Sequence, residues 1–295
     1  MSLGWLLRDW LRTAAAQRLR EAAAQAVREQ VEPREPPSDP GRMLAMGTCD
    51  VGLVFATEIE SGGVEDLLRG VVCVRGERLV ARQAQYQGRS LVLVRCGAGR
   101  QAAADATEAM ILGHRPRCVI SAGFAGGLQT GVARNDLVVA DELVDADGRH
   151  LAIEPPLDRR CLPEAPPSHV GRLLTVDRVV QKPEEKKELG RKYEALAVDM
   201  ESFDVAQVCR ERHVPMLAVR VITDAVDEQL PRDMERLARQ KTSAARWGAA
   251  IGTLLNRPSS IKDLWAMQEK ALIGTDRLGR FLLAMIEQLV PPATS

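Results

Sequence analysis

Short apolar runs alternate with polar, helix-periodic stretches from about residue 50 to residue 224. DVGLVFAT (50–57) reads as a buried strand, since a short continuous apolar run bounded by polar residues suits a strand covered on both faces. Three strand-like runs follow, VVCVRG, RLVARQAQY and SLVLVRC, separated by RGER and QGRS turns. GAGRQAAADATEAMILG opens on glycines and continues as a helix. PRCVISAGFAGGL is a second buried strand ending in a glycine cluster, and NDLVVADELVDADG a further strand and turn. Residues 155–170 are proline-rich and looped, RLLTVDRVV is strand-like, and KPEEKKELGRKY predicts a solvated charged helix. VDMESFDVAQVC (198–209) reads as an apolar helix that nevertheless carries three acids, and PMLAVRVITD is an apolar strand finishing on Asp224. From about 231 the chain is helical and fairly polar. The alternation predicts an α/β domain with a mixed sheet covered on both faces, and the early strands supply its antiparallel part.

The two ends differ from this pattern. LGWLLRDWLRTAAAQRLREAAAQAVREQ places Leu3, Leu7, Trp10, Leu11 and Ala14 on one helical face. Arg8 and Asp9 interrupt its apolar run, which argues against a signal peptide. Two readings stay open: a helix that packs on a neighbouring subunit or domain, or a membrane-surface helix over residues 3–20, where arginines accompany two tryptophans. VEPREPPSDPGR (31–42), with four prolines, is a linker. The expected organisation is an N-terminal amphipathic helix over 1–30, a linker over 31–43, the α/β domain over 44–257 and a helical extension over 258–295.

Charge and composition narrow the function. Forty basic residues balance forty acidic ones and only ten of 295 are aromatic, so neither a basic footprint nor a stacking platform points to nucleic acid. No apolar run is long enough to span a membrane. The six cysteines are scattered without metal-ligand spacing and read as reduced thiols of a cytoplasmic protein. His114, His150, His169 and His213 stand apart, so no metal site is expected and no cofactor is implied.

Three features carry candidate chemistry. Gly97-Ala98-Gly99-Arg100-Gln101-Ala102 fits the dinucleotide fingerprint between a strand and a helix, but the next strand ends in Ala-Gly-Gly instead of the acid that would hold a ribose hydroxyl. What remains is a glycine turn whose amides can approach an anion or water at a helix N-terminus. SAGFAGGL (121–128) ends a buried strand on bare backbone, against which a substrate can lie; a tight turn needing positive φ is the alternative. The third feature is a set of acids at strand ends: Glu58 and Glu60 after the first strand, Asp199 and Glu201 in VDMES, and Asp224. On one helix the side chains of Asp199 and Glu201 would diverge by about 200°, so both could not face one site unless the segment is extended or enters a helix there. Acids so placed suit a pocket where one protonates a leaving group and another activates water. The alternative is that they cap helices, Asp224 ahead of AVDEQL among them.

GLVFATEIE, a G-x-G turn, AGFAGGL, VDMES and VRVITDAVDE occur in an order that resembles the purine and uridine phosphorylase superfamily, nearest to the nucleosidases that cleave 5′-methylthioadenosine and S-adenosylhomocysteine. The resemblance covers about residues 50–255. It implies a phosphorylase-like three-layer α/β/α fold, a purine nucleoside and water as substrates, adenine release in methionine salvage, no cofactor, and a homodimer. It also implies roles: Glu60 activates the attacking water, Glu201 grips the ribose hydroxyls with Met200 packed beside the sugar, and Asp224 protonates N7 of the departing purine. Arg220 is implied to be a positive neighbour of that site, and Gly126 and Gly127 to be the glycines beside the ribose.

Family phosphorylases place an arginine before the glycine cluster, and here Cys118-Val119-Ile120-Ser121-Ala122-Gly123 has none; Arg100 is the nearby candidate. Water is therefore the expected nucleophile, with phosphorolysis the alternative. The chain departs from the salvage nucleosidases at Val179 and Val180, where an aromatic residue stacks on adenine, and at Phe124, where a small residue is usual; both point to a reshaped pocket. DMES and DEQLP also resemble the phosphorylase-like enzymes of hopanoid biosynthesis, which remove adenine from an adenosylated lipid and would suit a membrane-surface helix. A nucleoside-sensing protein without turnover is the non-enzymatic alternative, against which the three matched acids argue.

Overall fold

The computed structural model describes residues 48–75, 80–153, 167–230 and 260–289. The helix expected over 1–30, with its membrane contact through residues 3–20, the linker over 31–43 and most of the loop over 155–170 lie outside the described residues. In chain order the elements are β1 (Val51–Phe55), α1 (Glu58–Glu65), β2 (Arg69–Arg75), β3 (Val80–Tyr86), β4 (Arg89–Arg95), α2 (Arg100–His114), β5 (Cys118–Gly127), β6 (Leu137–Asp145) and β7 (His150–Ala152). β8 (Ser168–Thr175), α3 (Pro183–Tyr193), β9 (Ala197–Asp199), α4 (Ser202–Glu211), β10 (Met216–Asp224) and α5 (Ser260–Leu289) follow.

The strands form one mixed sheet in the order β10-β6-β8-β9-β5-β1-β4-β3-β2, with β7 beside β6. β2, β3 and β4 are the expected antiparallel meander. β1, β5 and β10 run parallel, so their C-terminal ends open together. β10 also pairs with β5, so β5, β10, β6, β8 and β9 close on themselves, a feature the run pattern did not indicate.

Strand alternation sorts the core onto two faces. Val51, Leu53 and Phe55 face the cluster that takes in Val64 of α1 and Leu278, Phe281 and Met285 of α5, while Val54 faces the cluster holding Met110 of α2 and Phe203 and Cys209 of α4. Helices therefore cover both faces of the sheet, as expected. The helical extension expected over 258–295 proves to be part of the fold: Leu278, Leu282, Met285 and Ile286 of α5 are fully buried.

α1 and α5 meet backbone to backbone. A Cβ built at Gly63 would lie 1.9 Å from the Thr275 carbonyl oxygen, and one at Gly279 would lie 2.3 Å from the Gly63 carbonyl oxygen. Gly62, one position earlier, faces open space. Gly63→Ala should therefore lower the unfolding free energy by about 1–3 kcal/mol through overpacking. Gly62→Ala should instead raise it by about 0.4–1 kcal/mol, by restricting the unfolded chain. Urea unfolding of the two variants beside the wild type reads the difference, and equal midpoints would contradict this helix contact.

Candidate active site

Glu60 belongs to the first turn of α1. Thr57 is the N-cap, and the two residues form a capping box: Glu60 Oε2 accepts from the Thr57 amide at 2.6 Å and from its hydroxyl at 2.9 Å. Glu60 Oε1 accepts from the Phe124 amide at 2.9 Å. A Cβ at Gly123 would come within 2.6 Å of that same oxygen, so only glycine leaves room for the carboxyl against β5. Capping and candidate chemistry thus coincide in one side chain. Burial raises the proton affinity of Glu60, against the Phe124 amide, Arg220 and Thr57, which favour the anion.

VDMES is a strand-to-helix junction and not a helix throughout: β9 ends at Asp199 and α4 begins at Ser202. This entry geometry is what allows the two acids to take different partners. Asp199 accepts from Arg220 Nε at 2.9 Å, from Thr175 Oγ1 at 2.7 Å and from the Ser202 amide at 3.2 Å, a buried ion pair that also takes up the first amide of α4. Glu201 turns the other way and accepts from the Gly99 amide at 2.8 Å. The glycine turn that mimics a dinucleotide fingerprint therefore presents its amide, at the N-terminus of α2, to a carboxyl of the protein itself. The Met200 amide contacts Glu201 Oε2 at 3.3 Å, and the Met200 side chain is half-buried.

Glu60 and Glu201 line one narrow cavity with Cys96, Ser121 and Arg220, at the C-terminal ends of β1 and β4 and beside the middle of β5. The guanidinium of Arg220 is fully engaged: Nη2 donates to Ser121 Oγ at 2.8 Å, Nη1 to the Val219 carbonyl, and Nε to Asp199. Glu201 is pushed up to about 8 by burial and by the charges of Asp199 and Glu60, with Arg220 and the Gly99 amide opposing. Burial also raises the Cys96 thiol, with Glu201 and Glu60 adding to the shift. Arg100 points to Asp204 at 2.7 Å and to Asp145 at 3.4 Å.

Asp224 ends β10, alongside the C-terminal part of β5. Its register partner is Gly126, and a Cβ there would approach Asp224 Oδ2 to 3.2 Å. At Gly127 a Cβ would lie 3.3 Å from the Asp224 carbonyl oxygen, so both glycines clear space for this residue. The Asp224 carboxyl is buried, accepting from Thr223 Oγ1 at 2.6 Å and from Lys186 Nζ at 2.5 Å. No helix follows Asp224 through residue 230, so a capping role there does not apply.

The structure thus brings together Glu60, Glu201, Arg220 and Phe124 (through its amide), and it sets Asp224, Gly126 and Gly127 beside one another. Val180 stands apart: it is buried with Leu174, Val176 and Val198 in a third core cluster and does not line the cavity. Lys186 was missed. The helix expected to be solvated buries Lys186, Gly190 and Tyr193, spaced i, i+4 and i+7, and that stripe was the available signal.

The model of the phosphorylase superfamily matches residues 51–256. The chain belongs to that superfamily. The 5′-methylthioadenosine/S-adenosylhomocysteine nucleosidase of Aeromonas salmonicida is 31% identical over 173 residues, covering 50% of this chain and 74% of the relative. That of Haemophilus influenzae is 26% identical over 222 residues, covering 66% and 95%. Among solved structures, the nucleosidase of Neisseria meningitidis in complex with methylthio-immucillin-A superposes with a TM-score of 0.62 at 21% identity, over 81% of this chain and 99% of the other. The futalosine hydrolase of Helicobacter pylori gives 0.64 at 20% identity, over 82% and 98%. These likenesses establish the phosphorylase-like fold of this superfamily member.

The raised proton affinity of Glu201 has a measurable sign. Folded, the residue keeps its proton up to about pH 8, whereas its ordinary value is 4.5. Between those values the folded chain binds more protons than the unfolded one, so stability falls as pH rises through the window. The melting temperature of the ligand-free wild type should fall between about pH 5 and pH 8, with a contribution from Glu201 of at most about 1.4 kcal/mol per pH unit. Glu201→Gln should flatten that slope. Parallel slopes for the two proteins would contradict the assignment.

Proposed function

We propose that this protein hydrolyses the N-glycosidic bond of a purine nucleoside of the 5′-methylthioadenosine/S-adenosylhomocysteine kind and releases adenine. The observation that carries the reading is the buried pair Glu60 and Glu201 in one cavity, with Asp224, at the end of β10, beside Gly126 of β5, three residues along from the Gly123 that clears Glu60. The names of the relatives reported above point to the same reaction.

The roles follow from the chemistry. An N-glycosidic bond breaks through an oxocarbenium-like sugar, so the base must be protonated as it leaves and water must be deprotonated as it attacks. Glu60, with its proton affinity raised by burial, is a stronger base than an exposed glutamate and takes the proton from water. Glu201 receives the ribose hydroxyls, and Asp224 hands a proton to N7. Gly126 and Gly127 leave backbone against which the sugar lies. Arg220 acts by keeping Asp199 paired and tempering Glu60 and Glu201, and does not reach for the substrate.

Water is favoured over phosphate by the same geometry. Arg100 and Arg220 are both held by carboxylates, and a phosphate dianion in this cavity would face Glu60 and Glu201. We further propose that the enzyme works in the cytoplasm as a homodimer, in methionine salvage.

Adenine release from methylthioadenosine and adenosylhomocysteine, with inosine and uridine as controls and with and without phosphate, tests the reading. Turnover of the first two without phosphate is expected. Glu60→Gln and Asp224→Asn should each lower kcat by about 10²–10⁴-fold. Turnover that requires phosphate would make the protein a phosphorylase. Binding without turnover would make it a sensor, and activity confined to an adenosylated lipid in vesicles would select the hopanoid-type reading.

A further inference from the structure

Lys186 has no part in the reaction as derived so far, yet its ammonium is among the most completely buried charges in the described structure, with 0% exposure. It reaches Asp224 from α3. Nζ contacts Asp224 Oδ2 at 2.5 Å, the Ala225 carbonyl at 2.9 Å and the Glu228 carbonyl at 2.7 Å. Three N–H groups meet three acceptors, which is the full donor count of an ammonium. Gly190 and Tyr193 carry the same helical stripe inward, and a Cβ at Gly190 would come within 2.4 Å of the Leu128 carbonyl oxygen just after the glycine cluster. The helix is therefore docked where it can hold Nζ against Asp224.

Nζ donates to Asp224 Oδ2 and the carboxyl accepts, so the exchangeable proton nearest to Oδ2 lies on Lys186. We propose that Lys186 is the proton reservoir and positioning partner of Asp224, and that the proton delivered to N7 of the leaving purine originates on Lys186 Nζ. The inference rests on the hydrolase reading above. Of the three acceptors around Nζ, two are backbone carbonyls that cannot carry the proton onward; Asp224 Oδ2 is the exit. As the C1′–N9 bond breaks, its electron pair stays with the base; Nζ passes a proton to Asp224 Oδ2, and the carboxyl passes it on to N7 and returns to a carboxylate. Water forms the new C1′–O bond and gives its proton to Glu60. Adenine leaves neutral, Lys186 is left as an amine and Glu60 as an acid, and proton exchange with solvent restores both. Two of the three hydrogen bonds survive the transfer: the amine keeps N–H groups for Ala225 and Glu228, and the bond to Oδ2 returns when Nζ regains its proton. Thr223 Oγ1 holds the other oxygen, Oδ1, at 2.6 Å, which fixes the plane of the carboxyl.

The rival account makes Lys186 a structural counter-charge, so that an Asp224 freed of it would pick up its own proton and work unaided. A substrate whose leaving group departs without protonation separates the two. We expect Lys186→Met, and Lys186→Gln, which keeps two N–H donors for the carbonyls, to lower kcat for methylthioadenosine by about 10²-fold with KM little changed. Both variants should hydrolyse 4-nitrophenyl β-D-riboside within about 3-fold of the wild type, because that leaving group needs no general acid. Adenine release by Lys186→Met within a few-fold of wild type would overturn the proposal, and so would equal losses on both substrates in both variants, which mark a structural role. A wild-type protein that releases no base would instead sink the hydrolase reading and this inference with it.

Discussion

The buried guanidinium of Arg220 is the interaction on which the rest of the site depends. Among the described residues lining the cavity it is the cation, and Glu60, Asp199 and Glu201 all lie within its influence. Its hydrogen bonds go to Asp199, Ser121 and its own strand, so the charge of Asp199 is matched directly. Glu60 and Glu201 receive only its longer-range field. One cation among three buried carboxyls leaves two of them under-compensated, and desolvation then raises their affinity for a proton. A cavity built this way holds two carboxyls of raised proton affinity and is hostile to an incoming dianion.

Rigid elements hold this imbalance in place. Glu60 is fixed by a capping box at one carboxyl oxygen and by the Phe124 amide at the other, and the helix that carries it is locked through Gly63 to the backbone of α5. Glu201 is fixed by an amide from the glycine turn at the start of α2. The two acids thus come from opposite faces of the sheet and meet at its C-terminal edge, where parallel strands end together. Asp224 is set further along the same edge, where the absence of side chains at Gly126 and Gly127 makes room and Lys186 closes the space from behind.

Several residues show how far the pattern of the chain reaches. The strands and the α/β class were legible because each run has the length and apolar continuity of a doubly covered strand. Glu60 and Asp224 were legible as acids at strand ends. The partners of Asp199 and Asp204 were not: nothing local says that Asp199 meets Arg220, 21 residues away, or that Asp204 meets Arg100 across 104 residues. Val180 was expected at the base and instead fills a core cluster, because the chain after β8 turns its side chain toward Leu174 and Val198. Lys186 looked solvated because charged residues surround it on every side in sequence, and only the docking of α3 shows which of them points inward.

By itself the sequence determined the order of strands and helices, the glycines that give backbone access, and which residue types are available for proton transfer. These follow from periodicity and from the local demands of backbone and solvent, and they are properties of neighbours in the chain. The tertiary structure decided the pairing of charges, the closure of β5 and β10 with their neighbours, and which of many carboxyls lose their water. The reason is physical: proton affinity and ion pairing depend on distance and dielectric, and both are set only when segments far apart in sequence are packed together.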